Sequence, residues 1–370
     1  MNVIEKNKTY PETNLVDVVI NKDVKKGLQC LRDGYIDMII TSPPYWGLRN
    51  YNVDGQIGQE QSPEEYVETL RSVFSACRRV LKDDGTLWLN LGDTYMSGGG
   101  ASRHHGYSDP KNKEGRNLDF LEPQSNQHKT LKPKDLVGIP WRVALALQQD
   151  GWYLRSDIIW HKPNAMPESA QDRPTRDHEY IFLFSKSKKY YYDADSIREP
   201  HTSLDDLERR TNKMYSENIS KGGTGEQMLG RNREDFYHPL GRNKRTVWTI
   251  PTKPYPDTHF AVFPKDLVRL GVQAGCAKHG IVLDPFCGSG TALEVAVELD
   301  RHYVGIELNT DYLPMIKKRL GLSVFFKDKK EMEKKNKQSY AKMIRKVEKE
   351  LTESEKMQED LEPIVDYEEK

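Results

Sequence analysis

Two short stretches of this 370-residue chain hold the residue types that could do chemistry. The first is TSPPYW, Thr41 to Trp46, which follows directly on the apolar run Ile36-Asp37-Met38-Ile39-Ile40. Pro43 and Pro44 fix φ twice and remove two N–H donors, so the chain must leave the preceding strand as a stiff loop whose carbonyls point away from any ladder. Ser42 adds a hydroxyl acceptor, and Tyr45 and Trp46 add flat faces. Such a loop suits a planar polar group whose amino hydrogens are received by one hydroxyl and one carbonyl. Met alone, a Pro-Pro pair fits an ordinary strand exit at least as well. The second stretch is IVLDPFCGSGTALEVAVELDRHYVGIELN. Ile281 to Leu283 is a predicted strand with Asp284 at its carboxyl end, Gly288 and Gly290 shape a tight turn, and Thr291 to Leu299 form a helix. A second strand, Tyr303 to Ile306, ends on Glu307. An acid about 20 residues after a glycine-rich strand-to-helix turn is the arrangement that holds a ribose by its hydroxyls.

The elements between these stretches must position them. Residues 15–20 read as a β-branched strand, 24–33 as a short helix and 36–40 as the strand before the Pro-Pro loop, which leaves Asp23 just past a strand end. Ser62 and Pro63 open a helix with Ser62 as N-cap and Glu65 completing a capping box; apolar residues three and four apart give it one buried face, and it ends at Asp84-Gly85. A strand over 86–91 follows, with Gly92 and Asp93 at its end. Strand, helix, strand with short joints implies parallel pairing with a right-handed crossover, and parallel sheets place ligands at their carboxyl ends. Asp23, Ser42 and Asp93 would then share one sheet edge. Residues 96–134 break the pattern and read as a long loop insertion. A helix follows that Pro140 is expected to interrupt, then a strand, loop, strand unit from Tyr153 to Asp193.

From 199 to 245 apolar periodicity is lost, and between Arg209 and Arg245 nine basic residues stand against four acidic ones, interleaved with aromatics; this reads as a solvated linker or as a segment that meets phosphates and bases. Order resumes at 246–250, and Pro264 to Ala274 read as a helix. The tail from 327 is highly charged, first basic and then acidic. Over the whole chain 56 basic residues balance 56 acidic ones, which argues against a passive polyanion coat but leaves room for a local basic cleft. Cys30, Cys77, Cys276 and Cys287 lie far apart, so neither a zinc ribbon nor a disulfide framework is expected, and the compartment reads as reducing. The polar N-terminus and the lack of an apolar run near the roughly 18 residues of a membrane span point to a soluble, cytoplasmic protein with no membrane partner.

Together the two stretches resemble those of the amino-group DNA methyltransferases that use S-adenosylmethionine. DPFCGSGT, Asp284 to Thr291, looks like that family's methyl-donor motif and TSPPYW like its catalytic motif, in the permuted order of the beta class. The likeness runs from about residue 14 to 320 and implies an α/β, Rossmann-like methyltransferase fold: a mostly parallel twisted sheet, helices on both faces and an inserted target-recognition region. It divides the chain into a catalytic half over 14–198, a target-recognition region over 199–245, a donor-binding half over 246–325 and a charged tail over 326–370. The donor is S-adenosylmethionine, with no metal. Asp284, Pro285, Phe286, Gly288, Ser289, Gly290 and Thr291 would line its methionine end, joined by Phe263 from HFAVFPK, while Glu307 would hold the ribose hydroxyls beside Asn309. Asp23, in NKD where the family has GD, would take the adenine side.

In the implied reaction, the Ser42 hydroxyl and the Pro43 carbonyl each accept one hydrogen of an exocyclic base amine, and Tyr45, with Trp46, stacks on a flipped-out base. Pro44 stiffens the loop, and Asp93 would orient Ser42 or take the surplus proton. Ser before Pro-Pro-Tyr is associated in this family with cytosine N4, with adenine N6 the alternative. A cytosine-C5 enzyme would need a Pro-Cys pair, which this chain lacks. A non-catalytic nucleic-acid-binding protein on the same fold, or an RNA or protein methyltransferase, are more distant readings. Double-stranded DNA is the implied partner, met by Arg209, Arg210, Lys221, Arg231, Arg233, Arg242, Lys244 and Arg245, and a restriction-modification role admits a cognate endonuclease as a second.

Overall fold

A computed structural model describes residues 2–4 as backbone, and 15–48, 51, 53–96, 128–201, 238, 240–252 and 264–321. Nine strands form one sheet: β1 (Asn2–Ile4), β2 (Val18–Ile20), β3 (Ile36–Thr41), β4 (Leu81–Leu91), β5 (Tyr153–His161), β6 (His178–Ser185), β7 (Val247–Thr249), β8 (Ile281–Asp284) and β9 (His302–Ile306). Their spatial order is β1-β2-β9-β8-β3-β4-β6-β5-β7. Every pairing from β1 across to β4 is parallel. Only β6 is reversed, antiparallel to β4 and to β5, while β7 lies parallel to β5. The mostly parallel sheet expected from the sequence is therefore present, and residues 2–4, outside the span of the family likeness, add its edge strand.

Parallel strands need cover on both faces. Along β3, Ile36 and Ile39 enter one core and Met38 and Ile40 the other. The first core is covered by α1 (Val24–Leu28), α2 (Pro63–Val80) and α3 (Ile139–Gln149); the second by α4 (Lys265–Gly275), α5 (Thr291–Glu298) and α6 (Leu313–Arg319). Helix α4 lies close on the sheet because Gly275 has no side chain: a Cβ there would sit 2.4 Å from Trp88 Nε1.

The strand expected over 15–20 spans Val18–Ile20, the helix expected over 24–33 stops at Leu28, and the strand expected from 86 begins at Leu81. Ser62 caps α2 by accepting from the Glu65 N–H at 3.2 Å, but the Glu65 carboxylate reaches the Gln61 N–H rather than that of Ser62, so the box closes one residue early. Helix α2 stops at Val80, short of Gly85, because Leu81 already pairs with Ile36 and ladder bonds take over from helical ones. Pro140 does not interrupt α3. It sits in the first turn, after Gly138 at φ 76°, where its missing N–H has no helical acceptor to lose.

Asp93 departs from its expected role. Its Oδ1 accepts from the backbone N–H groups of Thr94 (2.9 Å), Gly138 (3.0 Å) and Ile139 (2.9 Å). Gly138, the residue before α3, has no side chain with which to satisfy the helix's leading donors. Asp93 supplies that acceptor from across the chain and favours the positive helix end. Asp93→Ala should lower stability in urea denaturation by about 1–2 kcal/mol, while leaving intact the chemistry expected of the Ser42 loop; loss of activity in a fully folded variant would restore the catalytic assignment.

Candidate active site

Both chemical stretches open into one cavity of about 330 Å³ at the carboxyl ends of the central strands. Adjacency of β3 and β8 brings them together, with Ile39 opposite Leu283. At the strand ends the Thr41 hydroxyl donates to Asp284 Oδ1 at 2.6 Å, joining residues 243 apart in sequence. The same oxygen accepts from the Phe286 N–H at 3.1 Å, which turns DPF into the cavity wall. Glu307, at the end of β9, closes the glycine turn: Gly288 N–H donates to its Oε2 at 2.8 Å and Asn309 N–H to its Oε1 at 2.7 Å. Asn21 ties β2 to this corner through the Glu307 carbonyl at 2.8 Å.

Pro285, Phe286, Gly288, Ser289, Thr291 and Asn309 line the cavity with these acids, and so does Asp23, which caps α1 through the Lys25 and Lys26 N–H groups. Gly290 does not line it. Its φ of 84° makes the turn, and a Cβ there would meet Ile316 at 3.2 Å, so it builds the loop from behind. Phe263 lies outside the described residues, as do Arg209, Arg210, Lys221, Arg231 and Arg233.

Ser42, Pro43, Pro44 and Tyr45 form the opposite wall. Trp46 does not join them: it is buried in the first core with its Nε1 donating to the Glu60 carbonyl at 2.9 Å, so it anchors the loop and offers no stacking face. Tyr66 donates to the Pro44 carbonyl at 2.8 Å, and among the described residues nothing donates to that of Pro43. The Tyr45 ring packs against Gly92, where a Cβ would stand 2.6 Å from Cε2.

Behind Ser42 lies a polar cluster that the sequence patterns did not single out: Asn90, Lys162 and Glu179. Ser42 Oγ donates to Tyr45 Oη at 3.3 Å, and Tyr45 donates on to Glu179 Oε2 at 2.7 Å. Asn90 Nδ2 shares its two protons among Tyr45 Oη (2.6 Å), Glu179 Oε2 (2.8 Å) and Ser42 Oγ (3.3 Å). Glu179 Oε1 pairs with the Lys162 ammonium, which lies 4.5 Å over the Trp160 ring. The usable signal was an amide at an inward position of LWLNL and an acid heading the apolar run EYIFLFS.

The two walls differ electrostatically. Burial pushes Asp284 up to about 7 against the pull of Thr41 and Phe286. Burial likewise lifts Glu307 to about 7 despite the N–H groups of Asn309 and Gly288. For Glu179 burial acts in the same sense, but the Lys162 charge and the bonds from Lys162, Tyr45 and Asn90 outweigh it and hold the acid below its ordinary value. Burial, then the Glu179 charge, raise the Tyr45 phenol well above its ordinary value. Cys287 packs its sulfur toward Gly305, and burial raises its thiol well above the usual range.

Of the expected DNA contacts, Arg242, Lys244 and Arg245 all stand within 3.4 Å of Glu199, and Glu199 and Arg242 form an isolated bridge. They clamp the two ends of the 199–245 segment together. Among the described residues no group of three His, Cys, Asp or Glu could hold a metal, and no helix is long and apolar enough to cross a membrane.

An acid whose folded pKa is raised withdraws stability as pH climbs from its unfolded to its folded value. For Glu307 that window runs from 4.5 to about 7. Melting ligand-free wild type beside Glu307→Gln should therefore show a Tm difference that moves in favour of the variant through this window and levels off above it; a pH-independent difference would contradict the raised pKa.

The DNA methylase family profile matches residues 36–318. The type II methyltransferase M.SmaI of Serratia marcescens is 49% identical over 302 residues, covering 82% of this chain and 90% of that protein. M.Cfr9I of Citrobacter freundii is 46% identical over 298 residues, covering 80% and 85%. Among solved structures, PvuII DNA methyltransferase (cytosine-N4-specific) is similar at 17% identity and a TM-score of 0.49, covering 84% of this chain and 86% of that one. A putative DNA modification methylase of Thermus thermophilus, complexed with S-adenosyl-L-methionine, is similar at 21% identity and a TM-score of 0.49, covering 82% and 92%. With TSPPYW and DPFCGSGT on one cavity and the family profile spanning both, the chain belongs to the N6/N4 DNA methylase family.

Proposed function

We propose that this type II DNA methyltransferase moves a methyl group from S-adenosylmethionine to the exocyclic N4 amine of a cytosine flipped out of duplex DNA. The observation that carries the reading is the single cavity with Ser42 on one wall and Asp284 and Glu307 on the other. The donor wall fits its ligand in kind. Two buried acids held only by hydroxyl and N–H groups are costly to ionise, and a ligand bringing positive charge and ribose hydroxyls offsets that cost. Glu307 and Asn309 would meet the ribose, Asp23 the adenine side, and Asp284, Phe286, Gly288 and Ser289 the methionine end. When bound, the donor supplies an electrophilic methyl.

The remaining chemistry belongs to the chain. An exocyclic amine is a weak nucleophile because its lone pair is delocalised into the ring. Ser42 Oγ, whose own proton points to Tyr45, and the Pro43 carbonyl can each accept one amino hydrogen and draw the nitrogen toward tetrahedral geometry. A paired base cannot enter such a cavity, so extrusion from the duplex is required. The assignment to cytosine rests on Ser42 as the residue before Pro-Pro-Tyr; adenine N6 is the alternative within the same family. The 14–198 half would carry the amine-binding loop, 246–325 the donor wall, and the clamped 199–245 segment the sequence recognition.

Ser42→Ala removes one amine acceptor and leaves the donor wall untouched. Its single-turnover rate on DNA should fall about 10²–10³-fold, with the dissociation constant for S-adenosylmethionine unchanged within about twofold. A rate within threefold of wild type would contradict the role given to Ser42.

A further inference from the structure

The hydrogen bonds behind Ser42 all run one way. Ser42 gives its proton to Tyr45, Tyr45 gives its proton to Glu179, and Asn90 donates into the same group. Glu179 is the carboxylate at the end of that relay, its side chain is 16% exposed, and Lys162 holds its far oxygen. Asp93, the acid that sequence proximity favours, is committed to three backbone donors elsewhere.

We propose that Glu179, fixed by Lys162, is a positioning residue that sets the direction of this relay and takes up the proton released when the amine is methylated. The inference rests on the amino-methyl-transfer reading above. Transfer forms the nitrogen–methyl bond with the amine lone pair, and the electron pair of the broken carbon–sulfur bond stays on sulfur. The nitrogen is then positively charged and carries one proton too many. That proton passes to Ser42 Oγ as the Ser42 proton passes to Tyr45 Oη and the Tyr45 proton to Glu179 Oε2. Ser42 and Tyr45 end as they began, Glu179 ends as a neutral acid, and the base amine is neutral. A protonated amine on an aromatic base is a far stronger acid than a carboxylic acid, so an ionised Glu179 is base enough, and its pairing with Lys162 keeps it ionised. A carboxylate end is also what stops Tyr45 from turning its proton onto Ser42 and occupying the lone pair that the amine needs. Glu179→Gln reverses that, because its amide can donate to Tyr45.

The test is single-turnover transfer of labelled methyl from saturating S-adenosylmethionine to genomic DNA by wild type, Glu179→Gln, Tyr45→Phe and the double variant, with donor affinity measured in parallel. We expect each single variant to lose about 10²-fold in rate with donor affinity held within threefold. The double variant should lose less than a further tenfold, because both changes cut one relay. A folded Glu179→Gln losing less than tenfold, or losses that multiply in the double variant, would overturn the proposal. If Glu179→Gln does not fold, Tyr45→Phe decides alone, on the same tenfold threshold. Wild type that transfers no methyl to DNA would instead refute the underlying reading, so the two failures are distinguishable.

Discussion

The site depends on one hydrogen bond between neighbouring strands, from the Thr41 hydroxyl at the end of β3 to the Asp284 carboxyl at the end of β8. Each strand carries one chemical stretch past its carboxyl end, and parallel pairing with Ile39 opposite Leu283 puts both ends at one level. The bond is buried, and its acceptor is an acid that burial makes costly to ionise. Residues on the two sides of a long insertion thereby become facing walls of one cavity.

The walls treat their acids in opposite ways. Asp284 and Glu307 are surrounded by hydroxyl and N–H donors, and both sit high in pKa. Glu179 faces Lys162 and sits low. Titratable groups driven apart by their surroundings mark division of labour within a site. Here one wall suits a cationic ligand with hydroxyls, and the other keeps a ready carboxylate at the end of a proton relay. A partly buried ion pair such as Lys162–Glu179 is seldom worth its desolvation as stabilisation alone.

Much of the fold was legible because it follows from local rules. The β-branched runs became β2, β3, β8 and β9, Ser62 capped its helix, and Gly288 and Gly290 made the donor turn. What sequence spacing could not convey was which way a side chain turns beyond a strand end. Asn90 and Asp93 are three residues apart yet go to different partners: Asn90 to Ser42, Asp93 to the start of α3. Trp46 beside Tyr45 reads as a second stacking ring, yet the Pro-Pro turn directs it into the core. Lys162 and Glu179 approach Ser42 only through β5 and β6, whose antiparallel pairing puts Trp160 opposite Glu179, a contact set by tertiary register rather than by any motif. Arg242 and Lys244, read as phosphate contacts in a basic stretch, both pair with Glu199, a partner that the local sequence pattern does not reveal.

The most direct measurement is mass spectrometry of nucleosides from unmethylated genomic DNA incubated with the purified protein and methyl-labelled S-adenosylmethionine. The account predicts label in N4-methylcytosine. Label in N6-methyladenine would overturn the cytosine assignment while keeping the cavity chemistry, and label in C5-methylcytosine, or in no nucleoside, would contradict the account of the Ser42 wall itself.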